Sequence, residues 1–361
     1  MTFPITKNPN TRFNSMNWND LKFGVYFSDH IFIAKYKDGK WNSGEIIPYG
    51  PMEIEPAMCT LHYAQSCFEG LKAFQCFADG KPTENANMFR PNKNAERLNR
   101  SGERLGIPAI DVNFQIEAMK ELVKVDKKFI PQKRGESLYL RPFTFGTSNF
   151  LGVQPSPEYS FVIITSPVAS YYANGIQPIK ILVADEYVRA VRGGIGFTKA
   201  AANYAASLYA GMKAKEKGFA QVLWLDGIDR KYVDEVGAMN IMFVIDGEIV
   251  SPTLEEGSIL PGITRMSVFE LARDMGIKVT ERKISIQEVI EAHKAGKLTE
   301  CFGTGTAAII SPVGQLTYKG EDSIINNNEI GAISQKLYDT ILDIQYSNNA
   351  DAKGWNLQFK L

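Results

Sequence analysis

Arg189-Ala-Val-Arg-Gly-Gly-Ile-Gly-Phe-Thr-Lys199-Ala-Ala-Ala-Asn203-Tyr204 is the stretch on which the reading of this chain turns. Its three glycines let the backbone turn sharply or approach a ligand closely. Arg189 and Arg192 can neutralise an anion such as a phosphate. Lys199 is followed by three alanines, so nothing bulky crowds its amine. A lysine does covalent chemistry with carbonyls when its amine is partly neutral, and a free lysine, with a pKa of about 10.4, is not. Burial or a neighbouring cation lowers that value, and Arg189 and Arg192 are the cations at hand. The plain alternative is a flexible loop with solvated charges.

Two other segments suit a phosphate. Leu260-Pro-Gly-Ile-Thr264-Arg265 leads into a predicted helix, whose first amides and dipole favour an anion. Cys301-Phe-Gly-Thr-Gly-Thr306-Ala307 supplies glycines and hydroxyls before an apolar strand. Neither is a nucleotide loop, since GxxxxGK[ST] is absent and no GxGxxG sits in a βαβ unit. Asp234-Glu235 stands at the mouth of an apolar strand, where a carboxylate can face a cofactor ring nitrogen or lie in a solvated turn. Arg97 and Arg100 are three apart on a predicted helix and are expected to share a face, with Arg90 just before them. His62-Tyr63, Phe68, Tyr139 and Tyr171-Tyr172 are aromatic enough for a pocket, although such residues more often fill a core. Taken jointly, a lysine, phosphate-like loops and an acid point to an aldehyde cofactor that carries a phosphate.

The 361 residues suit two domains. Forty Lys+Arg balance forty Asp+Glu, so there is no basic footprint for nucleic acid. No apolar run is long enough to span a membrane, and residues 1–10 do not read as a secretory signal. The four cysteines form no CxxC and are expected to be reduced thiols in a cytoplasmic protein. Three widely separated histidines argue against a multi-histidine metal site or a Ser-His-Asp hydrolase, so no metal is expected.

The first half reads as strands and hairpins, with turns at Asp38-Gly39 and Asp79-Gly80, a helix opening at Pro91 and another over 113–128. Strands are expected over 138–145 and 159–165. Past a softer stretch come a strand at 179–184, a helix at 203–217, a strand at 221–225 and a hairpin around Asp246-Gly247. Thr264 is expected to cap a helix ending near Gly276, followed by a strand at 278–284, a helix at 285–295, a strand after Gly305 and a final helix at 330–345. The order lacks regular βα alternation, so the class is α+β. The expected domains are a small N-terminal one at 1–167, a linker at 168–178 and a large one at 179–361.

These strings, in this order, carry a resemblance. Residues 61–74, Phe89-Arg-Pro-Asn, Tyr139-Leu-Arg-Pro142, Lys199 to Tyr204, Val222-Leu-Trp-Leu225 and Glu235-Val-Gly-Ala-Met-Asn240 resemble the branched-chain amino acid aminotransferases, pyridoxal 5′-phosphate (PLP) enzymes of fold type IV. The resemblance implies a two-domain α+β fold of the D-amino acid aminotransferase-like kind, with the active site at the domain interface. It implies that Lys199 is the Schiff-base lysine and Glu235 the partner of the pyridine nitrogen. Tyr204 matches the donor to the phenolic oxygen. Arg97, Ile263, Thr264 and Thr306 match the phosphate cup, and Arg189 matches a position near the cofactor. Phe27, Phe68, Tyr139 and Tyr171 match an aromatic substrate pocket, with Tyr63 and Leu151-Gly152-Val153 reaching over from a partner subunit in a homodimer. Arg141, Gln221, Ala238 and Ala307 match further substrate positions. The implied reaction moves the amino group of L-leucine, L-isoleucine or L-valine to 2-oxoglutarate.

The chain departs from the family pattern in three places. Ala308 and Ser311 stand where mammalian members carry a CxxC, so thiol–disulfide regulation there is not expected. Ala201 and Ala202 replace two glycines, and Ala238 replaces a threonine. The competing readings are a D-amino acid transaminase or aminodeoxychorismate lyase of the same fold type, and a catalytically silent PLP-binding protein.

Overall fold

The structure is a computed structural model and describes all residues except 171–175, 347–350 and 352. It forms two compact units. One comprises Met1–Tyr171, Thr198–Ala201 and Asp343–Leu361, and the other Tyr172–Phe197 and Ala202–Leu342. The two short returns to the first unit are not visible in a single cut at 168–178.

In chain order the first strands are β1 (His30–Lys37), β2 (Lys40–Trp41), β3 (Glu45–Pro48), β4 (Ser66–Phe68), β5 (Leu71–Ala78), β6 (Lys81–Phe89), β7 (Ser137–Gly146) and β8 (Tyr159–Val168). They are followed by β9 (Ile179–Val183), β10 (Gln221–Leu225), β11 (Val233–Val236), β12 (Met239–Ile245), β13 (Glu248–Pro252), β14 (Val279–Arg282), β15 (Leu298–Gly305), β16 (Ile309–Tyr318), β17 (Glu321–Ile324) and β18 (Asn356–Lys360). The helices are α1 (Cys59–Tyr63), α2 (Pro91–Arg104), α3 (Val112–Val125), α4 (Ala201–Glu216), α5 (Ile263–Asp274), α6 (Ile286–Lys294) and α7 (Ala332–Gln345).

The first unit is built on one antiparallel sheet in the order β18-β6-β5-β7-β8-β1-β2, with β3 on β1 and β4 on β7. Phe32, Phe129, Phe161 and Leu138 are fully buried in its core, beside Leu98 of α2 and Leu122 of α3. Each such side chain contributes about 1.5–3 kcal/mol through burial. α2 opens on Pro91, as expected, behind Arg90 in the left-handed region (φ 51°). α3 is capped by Asp111, whose side chain accepts from the Phe114 amide at 2.8 Å. It stops at Val125, short of the expected 128, and a 3-10 turn at Lys127–Phe129 follows.

The second unit runs β11-β10-β9-β16-β15-β12-β13-β14, and β11 also pairs with β12. Six strands therefore close on themselves, which removes their free edges. Ile181, Leu223, Ile241 and Phe243 are wholly buried in the core of this unit. α6 is capped by Ser285, whose side chain accepts from the Glu288 amide at 3.0 Å. The residue before α5 is Gly262, and no side chain caps that helix; Thr264 is its second residue, not its cap. The class is α+β, as the sequence order suggests.

The three Asp-Gly hairpin turns read from the sequence have positive φ at both residues: 52° and 80° at Asp38-Gly39, 50° and 72° at Asp79-Gly80, 50° and 78° at Asp246-Gly247. That is the turn geometry whose twist matches the flanking strands. The four cysteines are buried, and none of them forms a disulfide. Burial pushes the Cys67 thiol up to about 12 and raises that of Cys301 further. No described helix is long and apolar enough to cross a membrane.

Candidate active site

In the first unit Lys199 is fastened by its backbone. Ala200 forms an antiparallel bridge with Cys67, and the Phe68 amide donates to the Lys199 carbonyl at 3.0 Å. The Lys199 amide donates to Ser101 Oγ on α2 at 3.0 Å. Its Nζ lies 4.9 Å from the centre of the Phe68 ring. The Arg141 guanidinium lies 4.5 Å from the centre of that ring, and Arg141 Nη2 donates to Tyr139 Oη at 3.0 Å. An aromatic face attracts cations, so Phe68 holds both side chains in place. Gly70 keeps this corner open: a Cβ there would stand 1.9 Å from Tyr139 Oη.

The residue between Phe68 and Gly70 has no signal in the sequence. Glu69 is 1% exposed and takes Arg97 in a two-point pair, Nε to Oε1 at 2.7 Å and Nη2 to Oε2 at 2.9 Å. Asn94 Nδ2 donates to Oε2 at 2.7 Å. Burial works to raise its carboxyl, yet the Arg97 guanidinium, then Lys199 and Asn94, hold it below the usual carboxylate range. Arg97 and Arg100 do not share one environment: Arg97 is buried, and Arg100 is on the surface. Phe27 stacks on Tyr49 at 5.1 Å, whereas Phe23 stands edge-on to Tyr139 at 4.9 Å. Phe23, earlier in the same stretch, is the aromatic that the sequence does not single out.

The second unit places Glu235 on β11, 3% exposed. Its Oε1 accepts from the Leu260 amide at 2.7 Å, and its Oε2 faces Arg189 Nε at 3.3 Å. Arg189 Nη2 also donates to the carbonyls of Gly196, at 3.2 Å, and Ser258. Arg189 thus stands against an acid and two carbonyls. Arg192 is 61% exposed and pairs with Glu256. Glu235, Asn240 and Thr304 line up across β11, β12 and β15. Asn240 Nδ2 donates to Leu260 O at 2.8 Å and reaches Glu235 Oε1 at 3.4 Å. One side chain therefore ties the acid to the segment that starts α5. A Cβ on Gly262 would lie 1.9 Å from Asn240 Oδ1, so any larger residue there must displace Asn240. Ile263 and Thr264 follow as the first residues of the helix, whose first amides have no intrahelical acceptor.

Thr306 and Ala307 sit in the turn between β15 and β16, which closes on Ile309 at φ 62°. A β-branched residue in that region is strained, and such strain gathers at ligand sites. Gln221 lies against Gly237 (φ 56°), where a Cβ would be 2.2 Å from its Oε1. Ala238 is exposed and Tyr204 half-buried on α4. Tyr63 donates from its hydroxyl to Leu151 O, and Leu151 and Val153 are 68% and 87% exposed. Tyr171 lies outside the described residues. His30 is structural: Asn8 donates to its Nε2 at 2.9 Å, and Nδ1 meets Asp126 at 2.7 Å. No group of described residues could hold a metal ion.

The family model for class IV amino-transferases matches residues 66–316, a span that carries both clusters. The chain belongs to that family. It is 54% identical to branched-chain-amino-acid aminotransferase 2 of Bacillus subtilis, over 94% of this chain and 92% of that one. It is 50% identical to a probable branched-chain-amino-acid aminotransferase of Staphylococcus aureus, over 94% of each. Among solved structures, a T.th. branched-chain amino acid aminotransferase with pyridoxamine 5′-phosphate superposes with a TM-score of 0.73 at 25% identity, covering 91% of this chain and 97% of that one. The enzyme from Thermoproteus uzoniensis has the same fold, with a TM-score of 0.73 at 24% identity, over 91% of this chain and 99% of that one.

Proposed function

We propose that Lys199 and Glu235 are the working residues of a branched-chain-amino-acid aminotransferase that uses PLP. It moves the amino group of L-leucine, L-isoleucine or L-valine reversibly to 2-oxoglutarate, giving the branched keto acid and L-glutamate. The observation that carries this is Glu235, a buried carboxylate fixed by the Leu260 amide and Arg189 and tied through Asn240 to the bare start of α5.

The residues present suit the cofactor. Amides at a helix start that no side chain caps, behind a glycine whose Cβ would displace Asn240, suit a phosphate. An acid held by a cation suits a protonated ring nitrogen. When bound, the cofactor supplies an electron sink for the carbanion formed at the substrate Cα.

The chain's own residues do the rest. Lys199 holds the cofactor at rest and carries the proton to and from the substrate Cα. Glu235 keeps the ring nitrogen protonated, and Arg189 positions Glu235. Ile263 and Thr264 offer backbone amides to the phosphate, Thr306 its hydroxyl and Arg97 its charge. Tyr204 donates to the phenolic oxygen. Phe68, Tyr139 and Phe23 form apolar walls for the branched side chain, joined by Tyr63 and Leu151-Gly152-Val153 of a second copy in a homodimer. The exposed Leu151 and Val153 support that assembly. Arg141 and Gln221 are the polar substrate contacts, with backbone amides at Ala238 and Ala307 for the carboxylate. An apolar wall separates substrates one methylene apart by only about 1–3 kcal/mol, so all three amino acids are accepted. Four buried cysteines without disulfides support a reducing compartment, the cytoplasm.

The test is the absorption spectrum of the purified protein. The visible cofactor band is expected to disappear with L-leucine and return with 2-oxoglutarate. Lys199→Ala should abolish turnover while the chain still folds. A band indifferent to L-leucine would move the function to the other fold-type IV activities, and normal turnover in the variant would overturn the assignment of Lys199.

A further inference from the structure

Successive residues of a strand face opposite sides, so Asp234 looks away from the environment of Glu235. It lines a separate cavity of about 220 Å³ in the second unit. Asp234 is 5% exposed. Its Oδ1 accepts from Ser258 Oγ at 3.2 Å, and its Oδ2 has no hydrogen-bond partner. A buried carboxylate oxygen without a donor is costly and favours any ligand that brings one. Asp226, also in the wall, differs: its oxygens already take the amides of Ile228, Asp229, Lys231 and Tyr232.

The wall is mixed: Ile228, Pro252 and Ile259 give it apolar surface beside its charged and hydroxyl groups. Lys283 and Arg192 also line the cavity, sharing Glu256 between them, with Lys283 Nζ to Glu256 at 2.7 Å. Glu256 is thus shared by two cations, while Asp226 and Asp229 add negative charge elsewhere in the wall. The space holds several water-sized groups, enough for a compact organic body.

We propose that this cavity binds the ammonium group of a small organic amine, amino acids included, on Asp234. Such a ligand would sit two links from the other cluster, since Ser258 joins Asp234 to Arg189 and Arg189 faces Glu235. Burial raises the Asp234 carboxyl to about 7; Ser258 and Arg189 oppose the rise, while Glu235 and Asp226 add to it. An arriving cation therefore converts a partly protonated acid to its ionised form and releases a proton to solvent.

The experiment is calorimetric titration of the holoenzyme, treated with borohydride so that amine exchange at Lys199 is closed. Isobutylammonium chloride and L-valine are the probes. Titrations at about pH 6 in two buffers of different ionisation enthalpy count the protons released. Saturable binding with proton release is expected, weakened about tenfold to a hundredfold in Asp234→Asn, with the release abolished. Lys283→Ala separates the sources. A loss for L-valine alone identifies an amino acid, and equal binding of both probes identifies a simple amine. Absence of saturable binding for either probe, or binding and proton release unchanged in Asp234→Asn, would overturn the proposal. A crystal structure of the wild-type complex without ligand density beside Asp234 would overturn it equally, independently of how the variant folds.

Discussion

Glu69 and Asp234 are both buried acids, and their neighbours push them in opposite directions. Glu69 has Arg97, Lys199 and Asn94, and its carboxyl is held below 4.5. Its contribution to stability is present above that unfolded value and is lost as pH falls through the lower folded value. Glu69→Gln leaves a buried guanidinium without its counter-charge and should cost about 3–5 kcal/mol at neutral pH. Denaturant unfolding should show that gap narrowing in acid. Asp234 is raised from 3.8 to about 7. Its contribution is present below 3.8 and is lost as pH rises toward 7. Asp234→Asn should therefore melt higher than the wild type above about pH 7, with the difference vanishing toward acid. Thermal midpoints across that range decide it. Neither acid is distinguishable from a solvated one in the sequence, because the shift depends on which charges the fold brings near. Lys72, lowered to about 8 by burial in β5, is the same lesson for a base.

At the scale of elements, legibility follows local chemistry. The Asp-Gly turns, Pro91 and the start of α6 at Ser285 are readable because the residues themselves set the backbone geometry. Ser285→Ala should lower stability by about 1 kcal/mol, seen as a small drop in thermal midpoint, with turnover unchanged. β15 is not readable in this way. Cys301-Phe-Gly-Thr-Gly-Thr looks like a loop, but Gly303 and Gly305 lie in a strand beneath Met239. A Cβ on Gly303 would come within 2.9 Å of Met239 Cε, so the strand needs glycine where a neighbouring strand crowds it. The start of α5 shows the same dependence. Gly262→Ala forces Asn240 aside and should weaken cofactor retention in dialysis, while a distant Gly247→Ala, with nothing within 4 Å but φ 78°, should affect stability alone.

At the scale of the whole molecule, the chain's last strand is the clearest non-local feature. β18 pairs with β6 over five residues, from Asn356↔Phe89 to Lys360↔Asn85. It covers what would otherwise be an open edge, and its Phe359 joins the first unit's core. Phe359→Ala should cost about 3 kcal/mol, and removal of 356–361 should add aggregation to the loss of stability. Light scattering during thermal unfolding separates the two effects. Nothing in Asn356-Leu-Gln-Phe-Lys360 tells which strand it joins, more than 260 residues away in sequence.

The α+β class, the turns and most helix starts are legible in the chain, because these rest on residues next to one another. The chain also carries the family motifs, and with them the family's cofactor. Tertiary structure alone decided that Glu69 clamps Arg97, that Phe23 and not Phe27 meets Tyr139, and that Asp234 is left with an unpaired oxygen. It also decided that β11 closes on β12 and that the C-terminal strand returns to the first unit. Burial, charge neighbours and strand pairing are properties of where distant residues meet, and no local pattern encodes them.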